Sequence, residues 1–166
     1  MLTNVPKITD HNHIPSEFLL LGTYPNFWEP ERDEYFYNFK GTHLVIFSFS
    51  TTKKGKYMTN QVELPLEVLP WVTKQLRRFD TPERLGGIPS DKVAETIEFR
   101  GEHIGISCGP CVGGPDIPGY TVWNSARKDD FFDTVQDYQL PIPWLDSGFR
   151  DFWKSMSDKF FPQGWV

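Results

Sequence analysis

Residues 42–64 read THLVIFSFSTTKKGKYMTNQVEL, and this stretch sets the fold class. THLVIFSFS (42–50) is rich in apolar, β-forming residues, and Val45, Phe47 and Phe49 fall on one face of a strand. TTKKG (51–55) supplies turn chemistry, with Gly55 able to take a positive φ. KYMTNQVEL (56–64) is then the returning strand, so 42–64 is predicted to be a β-hairpin.

Working toward the C-terminus, PLEVLPWVTKQLRRF (65–79) switches to helical spacing. Leu69, Val72, Leu76 and Phe79 form its apolar stripe, Pro70 suits the first turn, and Lys74, Arg77 and Arg78 favour the C-terminal end of the helix dipole. DTPERLGGIPSD (80–91) is a loop broken by Pro82, Gly86, Gly87 and Pro89. VAETIEF (93–99) and HIGISC (103–108) are expected strands joined at RGE, and GYTVWN (119–124) a third. The stretch 126–145 is expected to open with one or two helical turns before its prolines stop it. DSGFRDFWKSMSDKFF (146–161) reads as the strongest helix: Phe149, Phe152, Trp153, Met156 and Phe160 make one stripe, with Asp146 or Ser147 as N-cap. The first forty-one residues are irregular, with EFLLLG (17–22) a short strand or buried turn and NFWEPERDEYFYNFKG (26–41) a loop entering a short helix or strand.

These elements predict one α+β domain over 1–166, with a mainly antiparallel sheet, one mid-chain helix and one C-terminal amphipathic helix. Its parts are an irregular segment 1–41, a hairpin plus helix 42–79, and strands with the final helix 93–161. No repeat at a fixed period is visible. The length suffices to bury a core without disulfide or metal. Apolar content of 39% and charged content of 23% are those of a globular chain. The 14 Phe, 6 Trp and 6 Tyr suit a ring-filled core or an adhesive face.

The only two cysteines stand in ISCGPCVGG (106–114). Cys-Gly-Pro-Cys resembles the quartet of thioredoxin-type oxidoreductases, which requires a helix after the motif to stabilise the first thiolate. Here VGGPDIPG follows, with three glycines and two prolines in eight residues, and Ser107 stands where that family carries tryptophan. The cysteines therefore read as small apolar residues bordering a loop. A local disulfide, or half a zinc site completed by His11 and His13, is the alternative. HNH (11–13) spells a nuclease name without that family's spacing. No phosphate-binding glycine loop and no Gly-x-Ser-x-Gly elbow occurs, so no enzyme, cofactor or metal is assigned.

The formal net charge of −5 lacks the basic surplus of proteins that bind nucleic acid through phosphates. It suits a basic protein partner instead. No stretch resembles a signal peptide or a membrane span, which makes the cytoplasm the expected compartment. The first functional expectation is a non-enzymatic, acidic protein-binding module. Its concrete form is an immunity or antitoxin protein that blocks a basic toxin or nuclease. Contacts are assigned to Trp28, Glu29, Glu31, Asp33, Glu34 and Tyr35, and to Asp129, Asp130 and Asp133. The alternative is single-stranded nucleic-acid binding through Lys53, Lys54, Lys56 and Tyr57, with Phe47 and Phe49 as neighbouring rings. The order sheet–helix–sheet–helix with such a hairpin resembles Pur-α and Whirly-type modules in architecture, a likeness of fold that does not by itself carry function.

Overall fold

A computed structural model describes residues 1–163. The fold is α+β, built on two four-stranded antiparallel sheets. In the first, β1 (Phe18–Pro25), β2 (Asp33–Phe39), β3 (His43–Thr51) and β4 (Tyr57–Pro65) pair in chain order. Helix α1 (Val68–Asp80) and a 3₁₀ turn (Glu83–Leu85) follow. The second sheet, also in chain order, contains β5 (Ala94–Phe99), β6 (Glu102–Gly109), β7 (Gly119–Lys128) and β8 (Val135–Pro141). A helical turn α2 (Ile142–Trp144), a wide turn (Leu145–Phe149) and α3 (Arg150–Phe160) close the described chain. The chain thus runs twice through four strands and a helix, a repetition of topology that no sequence period announces.

The 42–64 hairpin forms as expected, with register Phe47↔Gln61 and Thr51↔Tyr57. Gly55 takes φ +81° at its turn. Arg100 and Gly101, both at positive φ, make the two-residue turn between β5 and β6. In α1, Leu69, Val72 and Leu76 are buried, Phe79 packs at the core's edge, and Pro70 lies in the first turn.

Three expectations are corrected. The segment 1–41 is not irregular throughout, because β1 and β2 occupy much of it. The stretch 126–145 does not open as a helix: β7 continues to Lys128, and 135–141 is the eighth strand. There Gln136, Tyr138 and Leu140 alternate inward while Asp137 faces solvent. A buried glutamine in an inward position hides the period of two. Finally, neither Asp146 nor Ser147 caps the last helix. The chain is already helical from Ile142 and passes through a wide turn that needs Gly148 at φ +129°. Asp146 pairs with Arg150, and the Ser147 hydroxyl donates to the Trp144 carbonyl.

The two halves interlock. Helix α1 leaves the first sheet and packs against β6, while α3 leaves the second and packs against β1. Gly22 of β1 allows the Phe152 ring to lie on the strand, where a Cβ would approach it to 2.8 Å. The Trp153 indole N–H donates to the Leu69 carbonyl at 2.9 Å and joins the helices. One core results, containing Phe36, Leu44, Ile46, Val62 and Leu64 from the first sheet, Ile104, Ile106, Val122 and Leu140 from the second, and the inner faces of both helices. No helix among the described residues is long and apolar enough to cross a membrane.

The outer face of the first sheet carries Tyr37, Phe39, Val45 and Phe47, and the N-terminal arm covers it with Val5 and Ile8. Gln61 holds the arm's backbone with both ends of its amide: Oε1 accepts from Ile8 N–H at 2.8 Å and Nε2 donates to the Pro6 carbonyl at 3.0 Å. Farther along, the His11 ring stacks on Phe49 with centroids 3.8 Å apart.

Candidate functional site: a two-walled groove between the sheets

A groove of about 510 Å³ opens where the inner face of the first sheet meets strand β8. Ile46, Ser48, Met58 and Val62 form its floor, and Asp137, Tyr138 and Gln139 line it from β8. Its two walls are built alike. On one, Asn26 Oδ1 accepts hydrogen bonds from the backbone N–H groups of Trp28 and Glu29, both at 2.9 Å. On the other, Asp129 Oδ1 accepts from Phe131 and Phe132 N–H at 2.8 and 3.1 Å. Each is an Asx turn, in which a short polar side chain replaces a backbone acceptor and fixes the two residues that follow. Each turn holds an aromatic ring at its third residue beside the groove, Trp28 on one side and Phe131 on the other. Trp28 is 50% exposed, Phe131 52% and Phe132 79%. Exposed apolar rings on a fixed backbone are the kind of group that anchors protein interfaces.

Three carboxylates and one guanidinium line the groove: Glu34, Asp129, Asp137 and Arg32. Glu34 is only 7% exposed, accepts a short hydrogen bond from the Tyr138 hydroxyl and another from Asn26 Nδ2 at 3.1 Å. Burial pushes its carboxyl above the usual range despite those bonds. Burial, and then the charge of Asp129, also push Asp137 upward. Arg32 is committed to Glu29 and donates to the Phe49 carbonyl.

The structure brings together parts of the two acidic-aromatic stretches singled out from sequence, which lie a hundred residues apart. Trp28, Glu34 and Asp129 line the groove. Glu29 stands beside Trp28, exposed and paired with Arg32. At the opposite tip, Asp130 is 3.5 Å from Lys7, and Asp133 pairs with Lys128 at 3.0 Å. Glu31 and Asp33 are exposed but do not line the groove. Tyr35 is half-buried and stacks on Phe49. Glu34 is corrected from an exposed contact to a buried one, because its strand turns it inward next to Phe36's neighbours in the core. Asn26, Phe131, Phe132 and Tyr138 were not singled out from sequence, whereas Asp137 belongs to the acidic run Asp129, Asp130, Asp133 and Asp137 legible there. The signal that finds four of the groove's residues is an Asn or Asp two places before an aromatic, in NFWE and DDFF.

The lysine-rich tip is as expected in exposure: among the described residues Lys53, Lys54 and Lys56 are exposed and form no ion pair. Its aromatic neighbours are not an open platform. Phe47 is fully buried beneath the arm and Phe49 is covered by His11. Tyr57 is 37% exposed, and its hydroxyl is held by His11.

Away from the groove lies a second polar assembly. His43 and Glu102 have no exposed surface; His43 Nε2 is 2.6 Å from a Glu102 oxygen, and Arg127 Nε donates to the other at 2.5 Å. Asn124 bridges Glu102 to the Glu63 carbonyl, and Gln136 donates to the Glu63 carboxylate. Burial alone would raise Glu102, but hydrogen bonds from His43, Arg127 and Asn124 outweigh it and hold the carboxyl at about 2. These contacts fasten sheet to sheet, and Arg127 also donates to the Thr3 carbonyl of the arm at 2.7 Å. In a smaller cleft of about 260 Å³ between α1 and α3, Arg150 pairs with Asp80 across the cleft and with Asp146. Cys108 and Cys111 are exposed free thiols at the end of β6, and turns rather than a helix follow. Among the described residues no group of three His, Cys, Asp or Glu is arranged to hold a metal.

No family model matches the chain, and neither the curated proteins nor the solved structures contain a match to it.

Proposed function

We propose that the protein is a non-enzymatic binding module whose groove receives a basic protein, in its most concrete form an immunity or antitoxin protein that blocks a basic toxin or nuclease in the cytoplasm. The observation that carries this reading is the pair of Asx turns presenting Trp28 and Phe131 from opposite walls of one carboxylate-lined groove. Aromatic side chains on a fixed backbone lose little entropy on binding and serve as anchors. Surrounding carboxylates complement a cationic surface and speed its approach. Enzymes that cut nucleic acid present such basic surfaces.

The test compares the wild type with Phe131→Ser/Phe132→Ser as bait in extract of the source cell, with and without nuclease treatment, at low and high salt. Both side chains are mostly in solvent, so the variant folds. The expected result is one basic protein retained at low salt by the wild type and lost by the variant. Equal retention by both rules out the groove. A catch that disappears with nuclease treatment assigns function instead to the lysine tip at Lys53, Lys54 and Lys56, whose flanking residues Ser50 and Met58 border the same groove.

A further inference from the structure

Resting on the groove reading, the question is what the partner inserts. The groove's charged groups differ in what they already hold. Glu34 receives hydrogen bonds from Tyr138 and Asn26. Asp129 spends one oxygen on the Phe131 and Phe132 amides. Arg32 is tied to Glu29. The Asp137 carboxylate alone among these receives no hydrogen bond or ion pair from any other residue, backbone or side chain, among the described residues. It sits on the solvent side of β8, opposite Trp123 in the ladder, and close enough to Asp129 for the two charges to repel.

We propose that Asp137 is the specificity-determining contact for an arginine side chain of the basic partner, inserted on an extended segment between the Trp28 and Phe131 rings. Two features favour a guanidinium over an ammonium. Its planar fork pairs with a carboxylate through two parallel N–H groups. Its flat face also stacks on aromatic rings such as those that line both walls, a contact that strengthens as water is excluded. The incoming cation would relieve the Asp129–Asp137 repulsion, so part of the groove's electrostatic cost in the free protein is recovered on binding. The groove's volume of about 510 Å³ accommodates a side chain together with a short stretch of backbone.

The probe is the peptide acetyl-Leu-Arg-Leu-amide, titrated into the full chain and followed by NMR at the Asp137 carboxyl carbon and the Trp28 indole N–H. Its comparator replaces arginine by citrulline, which keeps the shape and removes the charge. Both reporter signals should move with the arginine peptide, and the citrulline peptide should bind about tenfold or more weakly. Asp137→Asn should weaken the arginine peptide by about tenfold, while Asp158→Asn, exposed on the last helix and paired with Lys154, leaves it unchanged. If Phe131→Ser weakens binding but Asp137→Asn does not, the groove stands and the Asp137 assignment falls. If the peptide shifts neither Trp28 nor Asp137, the groove reading itself fails. Equal binding by free arginine methyl ester would overturn insertion on a partner's chain, because a small cation then suffices.

Discussion

Replacing Glu102 by Gln tests whether the buried His43–Glu102–Arg127 assembly ties the sheets together. The carboxyl is held at about 2 against an ordinary 4.5. At about 1.4 kcal/mol per pH unit, that difference corresponds to about 3 kcal/mol of stability at neutral pH. The sign follows from the direction: a lowered carboxyl stabilises the fold above 4.5, and the contribution is lost as pH falls from there toward 2. Glu34 and Asp137, raised by burial, act oppositely: their contribution is present at low pH and lost as pH rises. The informative quantity is therefore wild type minus variant. Urea denaturation followed by tryptophan fluorescence, from pH 7 down to pH 2, measures it. At pH 7 Glu102→Gln should cost about 3–5 kcal/mol, since it leaves the Arg127 charge largely buried without its carboxylate. The gap should narrow by about 3 kcal/mol as the pH approaches 2. Should the variant prove too unstable to measure, Glu102→Gln with Arg127→Met removes the stranded charge and should recover part of the loss. A gap that stays constant with pH would refute the account, because the carboxylate's hydrogen bonds would then not be what lowers its titration.

Two further substitutions probe the sheet faces. Ile8→Ala empties a fully buried socket under the arm and should cost about 2–5 kcal/mol in urea denaturation; a loss under about 1 kcal/mol would mean the arm is not packed on the sheet in solution. Gly105→Ala places a Cβ 2.0 Å from the Trp123 ring, which lies over the glycine. It should displace that ring, alter the near-ultraviolet circular dichroism and cost about 1–3 kcal/mol, and an unchanged spectrum would contradict the ring's position.

The binding reading and the fold share one physical device, short polar side chains that stand in for backbone partners. Asn26 and Asp129 fix the groove's aromatic turns in this way, and Gln61 fixes the arm. Such contacts cost little side-chain entropy and leave the neighbouring rings free to meet another surface. The arm also explains why the first sheet's outer rings, conspicuous in sequence, are core: Val5, Ile8 and His11 cover them.

The sequence by itself determined the elements with the clearest local pattern. The 42–64 hairpin was legible from alternation and a glycine turn, and α1 from helical spacing with Pro70 in its first turn. The acidic and aromatic stretches at 26–35 and 129–133 were legible as unusual compositions. Only the tertiary structure decided what depends on distance along the chain. Strand β8 was concealed because Gln136, polar and inward, is satisfied by Glu63 of the other sheet, and a one-dimensional pattern cannot show that partner. Glu34 was read as a surface charge because the residues that bury it, Tyr138 and Asn26, sit on different segments. The groove exists because α1 and α3 cross between the halves and bring β8 over the first sheet. Periodicity records which way a side chain points from its own strand; what meets it there is set by packing between segments.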